Sequence, residues 1–359
     1  MPVRTPLMQT LGLAHPIIQA PMAGGGDTPA LVAAVAEAGG IGFLGAQYLP
    51  LERIGEVARA VRARTNRAFG VNLFAPQPAP VLPPDPEAAV ARVAPFFAEL
   101  GLEAPSVPAS AADDFEDRLA ALLETGASSL SFTMGLLPEP AMQAARARGM
   151  TLIGTATSVD EAVALERSGV DAIVAQGGEA GGHRGTFLGD LGAGVVGTMA
   201  LVPQVVDAVS VPVIASGGIM DGRGIAAALV LGAQAVQMGT AFLTCDEAGV
   251  PEAYKAAILA AAEHQTRVTR AFSGRPARGI VNRFMEIVEA GAGPGDILGF
   301  PLQNALTRPM RTAAGGQGKA DCLSLWAGQG VRLAGRGPAS ALMARLAAGT
   351  AAAFGRADG

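Results

Sequence analysis

His183 stands in the run Gln176-Gly177-Gly178-Glu179-Ala180-Gly181-Gly182-His183-Arg184-Gly185, with five glycines close by. Such a backbone can pass near a flat ligand and present an imidazole to it. A group that titrates near neutrality suits proton transfer at a substrate. A histidine that only hydrogen-bonds its own loop is the plainer alternative. Position favours His183, because His15 and His264, the other two histidines, do not follow strand-like runs. Two further turns, Ser216-Gly217-Gly218-Ile219 and Gln237-Met238-Gly239-Thr240, have the composition of an anion cradle. Backbone N–H groups can approach a phosphate where no Cβ intervenes, the Thr240 hydroxyl adds a donor, and a helix N-terminus adds its positive end. Gly-Gly also makes a tight strand-to-helix turn, though two such turns in adjacent units are less readily explained that way. Asn72 and Gln176 are neutral amides able to read the N–C=O edges of a flavin ring. Either could instead cap a strand end.

These candidates share a position: they lie at or just after short apolar runs. The runs are 16–20, 41–44, 69–73, 129–132, 150–154, 172–175, 213–215 and 235–238. Helical patterns follow most of them, at 29–38, 51–64, 114–124, 138–148, 159–168, 197–209 and 222–231. Alternation of strands apolar on both faces with helices predicts a parallel sheet. Eight units predict a closed (β/α)8 TIM barrel, whose chemistry sits at the C-terminal ends of the strands. The loop after the first run, beginning Ala20-Pro21-Met22, therefore joins the site.

Two parts depart from the repeat. The Pro-rich stretch 75–86 can be neither regular helix nor central strand and reads as an extended insertion near the barrel mouth. After the eighth run, helical patterns at 252–263, 282–289 and 303–313 predict a small, mostly helical subdomain. The expected division is a barrel over 1–244, a capping subdomain over 245–325, and a C-terminal segment over 326–359 whose helix, 338–353, completes the outer ring. Gln329, in Trp326-Ala327-Gly328-Gln329-Gly330, could reach the site from that last segment.

Composition sets further bounds. Half of the 359 residues are hydrophobic and 16% are charged, ample for a large core. A net charge of −5 with scattered Lys and Arg offers no basic track for nucleic acid. Cys245 and Cys322 are the only cysteines, which fits a reducing cytoplasm and gives no metal-ligand spacing. The N-terminus lacks a signal-like apolar run. The apolar stretch 226–243 is interrupted by Gly232, Gln234, Gln237 and Gly239, so no membrane span is expected. Residues 192–197 satisfy G-x-G-x-x-G, but a long loop separates them from the preceding strand and no acidic residue ends a following one. They read as a flexible approach to the sixth helix.

Several of these segments together resemble the nitronate monooxygenases, formerly 2-nitropropane dioxygenases. The resemblance rests on Pro-Ile-Ile-Gln-Ala-Pro-Met at 16–22, Gly-Val-Asn-Leu-Phe at 70–74, the Ala175–Gly185 run, Ala-Ser-Gly-Gly-Ile at 215–219, Gln-Met-Gly-Thr at 237–240 and Ser-Leu-Trp-Ala-Gly-Gln-Gly at 324–330. The His-Arg-Gly and Trp-Ala-Gly-Gln segments are similar to class I members. The resemblance implies non-covalent FMN held by Asn72, Gln176, Gly181, Gly218 and Gln237 to Thr240, with the Ala20–Met22 backbone lining the ring. It implies His183 as catalytic base, and oxidation of alkyl nitronates with O2 to a carbonyl compound and nitrite, propionate 3-nitronate being the class I substrate. His183 would matter mainly for a neutral nitroalkane. Where class I members bring Tyr side chains and a Lys to the substrate, this chain has only Tyr48 and Tyr254, with Phe300 and Arg308 in the corresponding region. A homodimer and a detoxifying role are further expectations. The alternatives are an NAD(P)H-dependent FMN reductase of the enoyl-ACP or quinone type and a flavin-binding protein without turnover. An IMP dehydrogenase-like barrel is disfavoured because no Cys follows the seventh run.

Overall fold

The computed structural model describes residues 4–109, 114–192 and 194–357. The eight apolar runs become parallel strands β1 (Ile17–Gln19), β2 (Ile41–Gly45), β3 (Gly70–Phe74), β4 (Ser129–Thr133), β5 (Thr151–Ala156), β6 (Ala172–Gln176), β8 (Val213–Ser216) and β9 (Ala235–Met238). They close in sequence order, and β9 returns to β1 with Gln237 opposite Ile18. Both faces of the strands are dry, as the apolar runs require. Ile18, Ile41, Phe43, Ile153, Val174 and Ile214 form one apolar cluster, while a larger one lies between strands and helices. The chain folds as a (β/α)8 barrel.

A helix not anticipated from the sequence, Pro6–Leu11, buries Leu7, Met8 and Leu11 in the Phe43 cluster. Thr5 caps its N-terminus and Pro6 occupies its first position, where the missing N–H costs nothing. Gln234, just before β9, fastens it by accepting from Leu7 N at 3.0 Å. The Pro-rich 75–86 stretch carries no regular structure, but it leads into a second unanticipated helix, Glu87–Glu99, with Pro95 inside it. That helix buries Val93, Phe96 and Phe97 against Phe284, Val288, Leu306 and Met310, far along the chain.

The chain beyond β9 has helices at Glu252–Ala260, Arg283–Glu289 and Leu302–Gln317. It is not purely helical. Antiparallel strands β10 (Thr266–Thr269) and β11 (Ala277–Ile280) pair there, and β11 pairs in turn with β7 (Gly182–His183), which belongs to the loop after β6. The last helix, Ala339–Ala357, packs on helices Gly222–Val230 and Pro29–Glu37. No described helix is long and apolar enough to cross a membrane.

Asp27 ties the loop after β1 to the end of β2. Its Oδ2 accepts from Met22 N at 2.6 Å and from Gly45 N at 2.7 Å. No salt bridge compensates its charge among the described residues. Loss of water pushes the carboxyl up to about 6, against the pull of those N–H donors. Such a group gives stability that is complete below its ordinary 3.8 and is lost as pH rises through about 6. Asp27→Asn keeps an acceptor and removes the charge. We expect the variant to melt about 2–4 °C higher than the parent at pH 8, the gain fading toward pH 4. Thermal unfolding at both pH values checks this, and lower stability at pH 8 would show that the charge itself holds the loops.

Candidate active site

The C-terminal ends of the strands open into a cavity of about 900 Å3, roofed by the chain beyond β9. Ala20, Pro21, Met22, Asn72, Gln176, Gly181, His183, Gly217, Gly218, Gln237, Met238, Gly239 and Thr240 all line it. Residues up to 220 apart in sequence are thus brought to one wall by the barrel alone. Gly217 and Gly218 have φ of 116° and 71°, a region where side chains are strained. The N–H groups of Gly217, Gly218 and Gly239 have no acceptor among the described residues. Gly218 is exposed and Gly217 and Gly239 are half-buried, so these donors are open to water or to a ligand in the cavity.

The loop after β6 is held from both ends. Gln176 clamps it, donating one N–H of Nε2 to His183 O at 3.0 Å and accepting from Gly185 N at 2.9 Å. Arg184 is buried and donates to Gly177 O at 2.8 Å, Gln176 O at 2.7 Å and Gly194 O at 2.7 Å. Burial lowers its guanidinium to about 10, which leaves it charged at neutral pH. Arg275 donates to Arg184 O and Thr186 O from the far side. The stretch expected as a flexible approach to the helix is therefore pinned at Gly194; Ala193 lies outside the described residues.

At Gly181 another stretch of the chain also requires the absence of a side chain. A Cβ on Gly181 would lie 2.6 Å from Ala327 C, and one on Gly328 would lie 2.6 Å from Glu179 O. Two backbones pass in contact there, leaving no room for side chains. Gln329 does not reach the cavity. Its side chain is exposed, and its N–H donates to Glu179 O at 3.0 Å as the chain turns into a short 3-10 helix. Trp326, Gly328 and Gly330 line the cavity in its stead.

His183 sits among three rings, with centroids 5.7 Å from Trp326, 6.0 Å from Phe300 and 6.3 Å from Phe74. Its Nε2 is buried without a hydrogen-bond partner among the described residues. Loss of water, then repulsion from Arg275 and Arg311, drive its conjugate acid down to about 3. It is a neutral imidazole at physiological pH. Asn72 is also buried, giving Nδ2 to Ser131 Oγ at 2.8 Å.

Tyr48, Arg308 and Arg311 also line the cavity. Arg308 lies over the Tyr48 ring at 4.7 Å, and the Tyr48 hydroxyl and Arg311 Nε are buried without partners among the described residues. Asn304 orients Arg311 by accepting at Oδ1, 2.7 Å away. Sequence reasoning placed Arg308 in this region but gave no role to Trp326, Arg311 or Asp27. Trp326 carried a signal, since it stands in the glycine-rich 324–330 segment. Arg311 carried none, being one arginine of a helical pattern.

A family model described as nitronate monooxygenase matches residues 5–349. A probable nitronate monooxygenase of Staphylococcus aureus is 45% identical over 341 residues, covering 95% of each chain. Among solved structures, a nitroalkane oxidase from Streptomyces ansochromogenes aligns with a TM-score of 0.91 at 40% identity, covering 98% of this chain and 100% of that one. FabK from Thermotoga maritima aligns with a TM-score of 0.78 at 29% identity, covering 99% of both. On these findings, the chain belongs to the nitronate monooxygenase family of oxidoreductases.

Proposed function

We propose that this chain is an FMN-dependent nitronate monooxygenase that oxidises alkyl nitronates with O2 to a carbonyl compound and nitrite. One observation carries the reading: a neutral, unpartnered imidazole and a row of unpaired backbone N–H groups line the same cavity. The N–H groups of Gly217, Gly218 and Gly239, with Thr240, suit the phosphate. The Ala20–Met22 backbone suits the face of the ring, and Asn72, Gln176 and Gln237 suit its polar edge, flanked by Gly181 and Met238. Bound FMN supplies the redox chemistry by accepting electrons from the substrate.

The chain's own residues handle the proton and the charge. With a neutral nitroalkane, the His183 imidazole takes the α-proton. The C–H bond breaks, and its electron pair stays on the substrate and spreads into the nitro group. A base with a conjugate acid near 3 is weak until a negative charge forms beside it. The nascent nitronate provides that charge and stabilises the imidazolium. A substrate that arrives already ionised needs no transfer, and His183 then only orients it. Arg308 and Arg311, which have no carboxylate partner among the described residues, give the cavity a wall suited to an anion.

The visible spectrum of the purified protein and nitronate-dependent O2 uptake test the reading. A colourless protein that takes up no FMN would overturn it. Anaerobic bleaching by NADH, without nitronate-dependent O2 uptake, would assign the site to the reductase alternative. His183→Asn should lower kcat/KM about 100-fold with a neutral nitroalkane and change it less than about threefold with the preformed nitronate. Steady-state O2 uptake with both forms of one substrate decides this. Gly218→Ala puts a side chain at φ 71° with its Cβ 3.2 Å from Glu179 Cβ. We expect FMN affinity to fall about tenfold, equivalent to about 1.4 kcal/mol, measured by fluorescence titration of the flavin.

A further inference from the structure

A general base is ordinarily oriented by a hydrogen bond from its second nitrogen to a carboxylate or carbonyl. His183 Nε2 is buried without such a partner among the described residues, and the ring also borders the cavity. Three aromatic rings stand around it. Phe74 reaches it from the end of β3, Phe300 from the turn before helix Leu302–Gln317, and Trp326 from the segment beyond that helix. These are three separate parts of the chain, and all three rings meet the imidazole at steep angles, 74°, 68° and 53°.

The rings are themselves seated. Trp326 forms an isolated antiparallel bridge with Gly279 of β11, where a Cβ would lie 2.9 Å from Trp326 Cε3. Its carbonyl accepts from the buried Tyr254 hydroxyl at 2.7 Å, and Phe272 meets its indole edge-on at 5.6 Å. Phe74 contacts both Phe300, at 6.1 Å, and Tyr48, at 5.8 Å. The ionisable groups around the imidazole are Arg275 below it, Arg311 and Arg308 on helix Leu302–Gln317, and the phenols Tyr48 and Tyr254. No carboxylate contributes to its charge balance.

We propose that Phe74, Phe300 and Trp326 are positioning residues that act as one cage, fixing the His183 ring and keeping water from its Nε2 edge. Apolar rings exclude the water that would solvate an imidazolium, and the two nearby guanidinia oppose a third positive charge. The orientation that a hydrogen bond supplies elsewhere comes here from packing. The catalytic meaning of the cage rests on the reading of His183 as base; its physical effect does not.

The test is a pH titration of the histidine ring carbons by NMR, on the full chain as purified, with the His183 signal identified by its absence in His183→Asn. In the wild type the signal should not titrate between pH 5 and 8. Phe300→Ala, which alters a turn rather than an element, and Trp326→Ala should each move the midpoint upward by at least about one unit. Trp326→Phe, which retains an aromatic wall, should remain near the wild type. A wild-type midpoint near 6.5, or the same midpoint in every folded variant, overturns the cage. Full activity of His183→Asn on a neutral nitroalkane would remove the base assignment instead, and leave the titration result standing.

Discussion

The site depends on how a long irregular loop is satisfied. Residues 177–192 and 194–197, between β6 and helix Thr198–Ala208, are backbone with little secondary structure to absorb its polar groups. A buried carbonyl without a partner costs about 1–3 kcal/mol, and the loop buries several. Arg184 meets two of them, together with the Gln176 carbonyl at the end of β6, and Arg275 meets two more from β11's side. Glu161 serves the opposite polarity, accepting from Thr157, Phe187 and Leu188 N–H groups. Charged groups are tolerable in a dry interior when each is fully engaged in this way. The loop can then be irregular and rigid together, a condition for presenting an imidazole without a hydrogen bond to aim it.

The same arrangement joins the barrel to its covering segment. His183 lies on β7, which is paired with β11, so the proton-handling candidate is a barrel residue by sequence and a small-sheet residue by hydrogen bonding. Arg275 belongs to the covering segment yet holds the barrel loop. Gly181 and Gly328 let the two backbones touch where they pass. A shift of one part relative to the other would move His183 with the small sheet, away from Gly217 and Gly239, which stay on the barrel rim.

The barrel was legible because its strands are short runs apolar on both faces, separated by helical patterns. The residues on the cavity wall were legible for the same reason, since the fold puts every strand end at one rim. What escaped notice followed other physics. Helix Glu87–Glu99 carries Pro95 and follows a proline run, both arguments against helix, and its burial partners lie some two hundred residues onward. Strands such as Thr266–Thr269 and Gly182–His183 are too short and polar to show alternation. The contact that leaves Gly181 no room for a Cβ comes from Ala327 and Gly328, which the sequence gives no means of pairing with it. Gln329 could not be placed because a 3-10 turn, not a strand, decides where its side chain points.

The charge pattern bears on chemistry more directly than the net charge does. A chain with 31 acidic and 26 Lys or Arg residues has no general attraction for anions, so any must be local. Along the cavity wall the only carboxylate among the described residues is Asp27, and the cationic side chains are Arg308 and Arg311. Asp27 spends one oxygen on the Met22 and Gly45 N–H groups, which partly offset its negative charge. At the other end stand the uncommitted N–H groups of Gly217, Gly218 and Gly239. The wall is thus rich in donors at both ends, with a neutral imidazole between them. In that field an anion is stabilised wherever it forms, while a proton on His183 is tolerated only beside one. On the proposed reading, protonation of the histidine is coupled to ionisation of a neutral substrate, because an imidazolium is tolerated there only beside the anion its formation creates.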